Sequence, residues 1–379
     1  QPTFHVYLAE VERSLATYLF DELDLVVASH KNRLYHRATL HLPSLAHTLL
    51  HHFPAGTIAS STCYTYGGLP IGTTVGVLAA AHAMTDDYIA LLDEFLTIVK
   101  GGVTLHIATL ILLICLRPSA RFNHHLRGLP SSIIRATTAL RPVSVAQRMR
   151  DAIIPAFAAC AGISIDAILS APDSAGVLLQ LFTLASAGGV GLVDPASLAP
   201  LASLASGADT LAPLLLHPLL RHHLLDYASW PTSPSATLRD WAHTFGVLTS
   251  LPSFTAAAIR AEPRDTLDPA APRSAIYVLL DPASGYPRLE CLHCAAQLHL
   301  QRALVRVLTD HVLPPLLDLE TSPLDAIAIA KFKGSAAPYA AALLLSTHLQ
   351  PYATLSDRDW AFFISHRLLL QNPTIPLHR

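Results

Sequence analysis

The segment Ile107–Pro130, IATLILLICLRPSARFNHHLRGLP, constrains the fold of this chain more than any other stretch. Its apolar part belongs to a run that lies between Lys100 and Arg117, and His106 interrupts it. Such a run is driven out of water and has to be covered. It is shorter than the roughly 20 residues needed to span a bilayer, so it reads as a helix buried in a protein core. The basic part that follows carries Arg117, Arg121, His124, His125 and Arg127, and Pro130 closes it.

The rest of the composition sets the surroundings for that helix. A chain of 379 residues can bury one large core or two ordinary ones. At 51% hydrophobic and 14% charged residues it is not a disordered chain. The formal charge of -2 argues against a free-standing nucleic-acid binder, which needs a basic excess to neutralise phosphates, but it allows a local basic patch. The 21 histidines add latent positive charge wherever a phosphate or carboxylate lies nearby. So little charge on a chain of this size fits either a surface partly covered by neighbours in a larger assembly or a large helical core with an alanine-rich exterior.

Cys63, Cys115, Cys160, Cys291 and Cys294 are odd in number and irregular in spacing. They point to a reducing compartment or to buried free thiols, not to a disulfide framework. Residue 1 is Gln, which suggests a processed or truncated start.

The pattern along the chain predicts a mainly α protein, a multi-helix bundle-like assembly with a few short strands or extended segments. Four regions are expected: a divergent helical segment over 1–66, a larger helical domain over 67–261, a proline-rich linker or long loop over 262–288, and a helical segment over 289–379. Glycine, Ser, Thr and Tyr between Gly56 and Gly72 predict a turn-rich link with a short strand or hairpin. Gly67, Gly68, Pro70 and Gly72 are its turn residues. Helices are expected over 74–99, 103–117, 144–160, 163–170 and 174–186, with Asp173 and Ser174 as caps of the last. Gly188, Gly189 and Gly191 break the helical period and suit a turn with close backbone approach. Asp194-Pro195 opens a helix that runs to Gly207. Further helices are expected over 211–227, 235–260, 293–318, 335–348 and 356–369, with 275–280 extended.

Candidate sites are few. Arg117, Arg121 and His124 or His125 fall at helical spacing, so one face could present them to phosphates. Arg127 belongs to the same dense basic site, and Arg135, Arg141, Arg148 and Arg150 extend it. Salt bridges and capping of the apolar helix are the competing role for these residues. His51-His52 and Arg221-His222-His223 are weaker candidates of the same kind. Cys291-x-x-Cys294 has metal-like spacing beside His293 and His299, but a structural zinc needs four converging ligands, so these residues are expected in an ordinary helix. Asp86-Asp87 falls within a helical pattern and lacks the acidic partner that two-metal phosphoryl transfer requires. No Gly-x-Ser-x-Gly elbow, phosphate loop or His-Glu-x-x-His motif occurs. No catalytic residue, metal or cofactor is therefore expected.

Leu110–Pro130 resembles a segment downstream of the palm domain in reverse-transcriptase-like proteins of protist and algal retroelements. The matching residues are Arg117, Pro118, Arg121, Asn123, His124, Leu126, Arg127, Leu129 and Pro130. Further matches keep the family's order. Gly68-Leu69-Pro70-Ile71-Gly72-Thr73 resembles its post-palm turn. Gln180-Leu181 with Gly188–Leu192 resembles its Gln-Leu and glycine-rich segment. Gln301-Arg302 with Leu304 and Leu308 resembles a Gln-Arg-x-Leu helix, and Ala341, Leu345, Leu355, Ser356, Asp357, Arg367 and Leu368 match a final region. The family's metal-binding aspartates would precede Gly67, and no Tyr-x-Asp-Asp stands there.

The resemblance by itself implies polynucleotide synthesis; with the catalytic aspartates missing and the charge low, a non-catalytic architectural or interaction subunit of a larger complex, derived from a reverse-transcriptase-like protein, is expected instead. A mitochondrial or other organellar ribonucleoprotein, such as a mitochondrial ribosome, is the expected setting, with protein subunits and RNA as partners. A C-terminal fragment of an active reverse transcriptase, or an accessory subunit of a membrane complex, are the alternatives.

Overall fold

The computed structural model describes residues 33–35, 58–60, 63–66, 68–170, 174–214, 227–251, 276–280, 287–294, 300–320, 322, 324, 326–337, 344, 355–368 and 370. The expectations for Gly67, Asp173, His51-His52, Arg221-His222-His223, Ala341, Leu345 and most of 1–66 and 262–288 lie outside them.

The fold is mainly α with short two-stranded sheets. The chain forms two compact units, Gln1–Met84 and Thr85–Arg379. In the first, β1 (Arg33–Tyr35) pairs in parallel with β2 (Ile58–Ser60), and β3 (Cys63–Tyr66) pairs antiparallel with β4 (Leu69–Gly72). The expected hairpin is this β3–β4 pair. Tyr66 faces Leu69 across the turn, and Gly68 there has φ +82°, a conformation that glycine adopts without a Cβ penalty. Pro70, opposite Thr65, is buried.

Helix α1 (Thr74–Lys100) starts in the first unit and ends in the second. The apolar run follows as α2 (Leu105–Ile111) and a π-helical turn, Leu112–Leu116. Short helices come next: α3 (Pro118–Arg121), α4 (Asn123–Gly128) and α5 (Ser131–Arg135). Helix α6 (Val145–Ala161) is capped by Ser144 Oγ, which accepts from Gln147 N at 3.2 Å, and Gly162 ends it in the left-handed region. After α7 (Ile165–Leu169) and α8 (Ser174–Phe182), a glycine loop leads into α9 (Pro195–Leu214). Helix α10 (Ala236–Thr249), β5 (Ile276–Leu280) antiparallel to β6 (Pro287–Cys294), α11 (Leu300–Leu316), α12 (Ala326–Ser335) and α13 (Asp357–Arg367) complete the described elements.

Helix α9 sits at the centre of the second unit, in contact with α4, α5, α6, α10, α11 and β6. Its sequence explains why. Leu198, Ala199, Leu201, Ala202, Leu204 and Ala205 are all buried, so no face of this stretch is left for water. Alanine, serine and glycine let neighbours approach closely. A Cβ on Gly207 would lie 2.6 Å from the Trp241 ring, and Trp241 Nε1 donates to Ser203 Oγ at 3.0 Å. Trp230, Phe245, Leu248, Leu304 and Val307 pack around the same helix.

Two expectations need correction. Cys291 and Cys294 belong to strand β6, and the following helix starts only at Leu300. The β5 partner supplies a hydrogen-bonding edge that local periodicity does not reveal. The apolar run is only half covered: His106, Ala108, Thr109, Leu110, Leu112 and Leu113 are buried, whereas Ile107, Ile111 and Ile114 are exposed. By length and composition, Thr74–Lys100 and Leu105–Gly128 could each cross a membrane.

Candidate functional site

The basic segment is split by the backbone. The π turn ends at Arg117, which has ψ 150°, and Pro118 then restarts the chain as α3. Proline is tolerated at a first helical position, and it disfavours helical geometry in the residue before it. Arg117 and Arg121 therefore do not share one continuous helix face. Arg117 turns inward, where its Nη1 donates to Gly191 O at 2.9 Å. Burial, and secondly the charge of Arg302, push its pKa down. Its Nε is buried with no hydrogen-bond partner among the described residues.

Arg121 and His124 are exposed, and His125 is half-buried with its ring 4.5 Å from that of Phe122. Arg127 Nη1 donates to Gln301 Oε1 at 3.3 Å, and Gln301 Nε2 donates to Asn123 Oδ1 at 2.8 Å. Helices α4 and α11 are thus joined through polar side chains. Arg135 and Arg141 are exposed. Arg148 is paired with Asp86, and Arg150 lies over the Phe182 ring at 5.2 Å, so these two are engaged within the fold. The outer basic set is Arg121, His124, Arg135 and Arg141, while Arg117 and Arg127 hold elements together.

The glycine loop receives the inward-facing groups. Gln180 Nε2 donates to Gly188 O at 3.1 Å. Arg367, buried on α13, donates through Nε and Nη2 to Gly189 O at 3.0 and 2.8 Å, and through Nη2 to Ala185 O at 3.0 Å. Together with Arg117 on Gly191, these side chains satisfy the carbonyls that a tight buried loop would otherwise leave without partners. Burial pushes the Arg367 pKa down. The glycines are required by space as well as by conformation. A Cβ on Gly189 would collide with the carbonyl oxygens of Thr183 and Gln180, and one on Gly188 would lie 2.8 Å from Phe332 O.

A second junction joins the apolar helix to α13. Thr104 at the head of α2 makes no side-chain cap, and Asp357 Oδ1 accepts from Leu105 N at 2.9 Å instead. Trp360 Nε1 donates to Thr109 Oγ1 at 3.0 Å, and the single Thr109 hydroxyl proton is shared between Leu105 O and Cys160 O, at 2.8 and 2.9 Å from Oγ1. His106 stacks on Trp360 with ring centroids 4.2 Å apart.

Sequence reasoning missed both long-range roles. Arg367 and Asp357 stood out only as motif matches, and nothing in their neighbourhoods names a partner 178 or 252 positions away. It also missed the approach of Arg150 on α6 to Asp194, which directly precedes α9.

Asp86 and Asp87 are exposed on α1, and Asp86 is used by Arg148. Among the described residues no group of three or more His, Cys, Asp or Glu could hold a metal ion. Arg117 and Arg367 thus turn inward onto the glycine loop, while Arg121, His124, Arg135 and Arg141 are exposed. No family model, curated protein or solved structure matches the chain.

Proposed function

We propose that this protein is a non-catalytic architectural subunit of a larger complex, derived from a reverse-transcriptase-like protein. The observation that supports this most is how the motif residues meet. Arg117, Gln180 and Arg367 converge on Gly188–Gly191, Gln301 joins Asn123 and Arg127, and Asp357 caps the leucine-rich helix. Residues that carry the resemblance from distant parts of the chain are hydrogen-bonded to one another, which is the role of a framework. An organellar ribonucleoprotein is the setting we favour, because a near-neutral chain with Arg121, His124, Arg135 and Arg141 exposed suits docking onto RNA within a protein assembly.

The test is a native pull-down with RNA quantification, comparing the wild type with a variant carrying Arg121→Glu, Arg135→Glu and Arg141→Glu. Retained protein partners with RNA recovery reduced at least fivefold is the expected result. Unchanged RNA recovery would remove RNA from the proposal, and recovery of the chain without any partner would remove the subunit reading. Template-dependent primer extension lost in Asp86→Asn or Asp87→Asn would overturn the non-catalytic reading.

A second reading, an accessory subunit of a membrane complex, draws on the exposed face of Ile107, Ile111 and Ile114, which recur at helical spacing. Fractionation with membranes that is lost in Ile111→Asp would favour it.

A further inference from the structure

A cavity of about 470 Å³ lies between α6, α8, α9 and α11. That volume is in the range of small-molecule sites, which are typically mostly apolar with a few placed polar groups. Leu179, Phe182, Val193, Leu201, Leu308 and Leu313 supply apolar walls. Its polar lining is Arg150, Thr183, Asp194, Ser197 and Thr309, and the hydroxyls of Thr183, Ser197 and Thr309 already donate within the fold.

The chemistry of Arg150 and Asp194 selects the ligand. Asp194 Oδ2 accepts from Ser197 N at 3.1 Å and from Ser197 Oγ at 2.9 Å, so this oxygen is committed to the start of α9. Asp194 Oδ1 is buried and has no hydrogen-bond partner among the described residues. Arg150 Nη1 is 4.0 Å from it, too far for a hydrogen bond. Arg150 is held by the face of Phe182 and makes no hydrogen bond among the described residues. The wall therefore offers one acceptor and one donor with a gap between them. An oxygen at about 2.8 Å from each would bridge that gap with an angle of about 90°. Their charges cancel, so a charged head group would leave one ion uncompensated at the edge of an apolar cavity.

Val193 adds an independent mark. It has φ +57°, the non-glycine residue with positive φ among the described residues, and its β-branched side chain makes that conformation costly. It also lines the cavity. Strain of this kind collects where a binding surface has to be shaped.

We infer that this cavity binds a small neutral amphiphile: an aliphatic body between the leucines, with a hydroxyl or primary amide head that donates to Asp194 Oδ1 and accepts from Arg150. Such a ligand fills the space between α8, α9 and α11 and completes the hydrogen bonding at the head of α9. The site uses none of the exposed basic residues Arg121, His124, Arg135 and Arg141 and needs no RNA partner.

Protein purified without detergent would be titrated with 1-decanol, decanamide, decanoate and decyltrimethylammonium, and binding read by calorimetry and by the shift in Tm. The two neutral probes are expected to bind one per chain and at least tenfold more tightly than either ion. Asp194→Asn and Arg150→Gln are expected to weaken decanol about tenfold. Leu308→Trp fills the cavity and is expected to abolish binding, and Leu179→Phe provides a milder filling variant if Leu308→Trp does not fold. Failure of both neutral probes to bind folded wild-type protein up to their solubility limits would overturn the inference. So would tighter binding of either ion, or decanol affinity unchanged in a folded filling variant.

Discussion

Arg367 and Arg121 have the same side chain and opposite roles. Arg367 is buried and gives three hydrogen bonds to two carbonyls of a glycine loop, whereas Arg121 is exposed at the end of a short helix. The difference lies in what surrounds them. A buried loop leaves carbonyls that need a planar, multidentate donor, and the outer rim leaves none. Dense basic sequence is thus a poor guide to a binding face. The densest run in this chain contributes Arg117 to the interior and Arg121 to the surface.

Removing the inner arginine should have the largest effect. Arg367→Ala leaves Gly189 O without its guanidinium donors and Ala185 O with only the Gly188 amide, and is expected to lower the unfolding free energy by about 3 kcal/mol, measured in denaturant melts. Arg367→Lys should recover less than half of this, because a point-like ammonium cannot reproduce the fork. Full recovery by lysine would show that charge, not shape, holds the loop. Gly189→Ala drives a methyl group into two carbonyls and should cost about 2 kcal/mol. A neutral result would mean that the loop can shift, and that the comparison overstates its rigidity.

Asp357→Ala removes the cap on Leu105 and should cost about 1 kcal/mol. Hydrogen exchange should speed up first at the Leu105 amide. Exchange unchanged there would mean that water replaces the carboxylate without loss. At the outer end, Arg121→Ala should change stability by less than about 0.5 kcal/mol. A larger loss in thermal melts would erase the distinction between the two arginines.

Cysteines sharpen the same contrast without altering stability. Burial pushes the Cys160 thiol up to about 12, so near pH 8 it stays protonated as well as covered. Cys115 is exposed. Alkylation of the native protein should modify Cys115 and spare Cys160, as read by peptide mass spectrometry. Modification of both at equal rates would place Cys160 in an opening segment of α6.

Much of the helical framework was legible locally. The period of α1, the helical pattern over 144–160 and the Asp194-Pro195 start of α9 all act within a few residues of where they are written. The β3–β4 hairpin announced itself through its glycines for the same reason. Strand β6 was hidden because its identity depends on pairing with β5, and a short apolar run fits either a helix or a strand. The candidate site was legible only as a set of residues. Arg117 and Arg127 were found, but their direction depends on the turn at Pro118 and on Gln301.

The sequence by itself determined that this chain is mainly α, that its glycines at 188, 189 and 191 mark a tight turn, and that its apolar run needs covering. Those properties follow from side-chain size, backbone freedom and the repeat of apolar positions, all of which are local. Only the tertiary structure decided which arginines face inward, which residue caps α2, and that four helices leave a cavity with Arg150 and Asp194 on its wall. Hydrogen-bond partners and cavities are set by distances between elements far apart in the chain, and the free energy of satisfying buried groups appears only once those elements have packed.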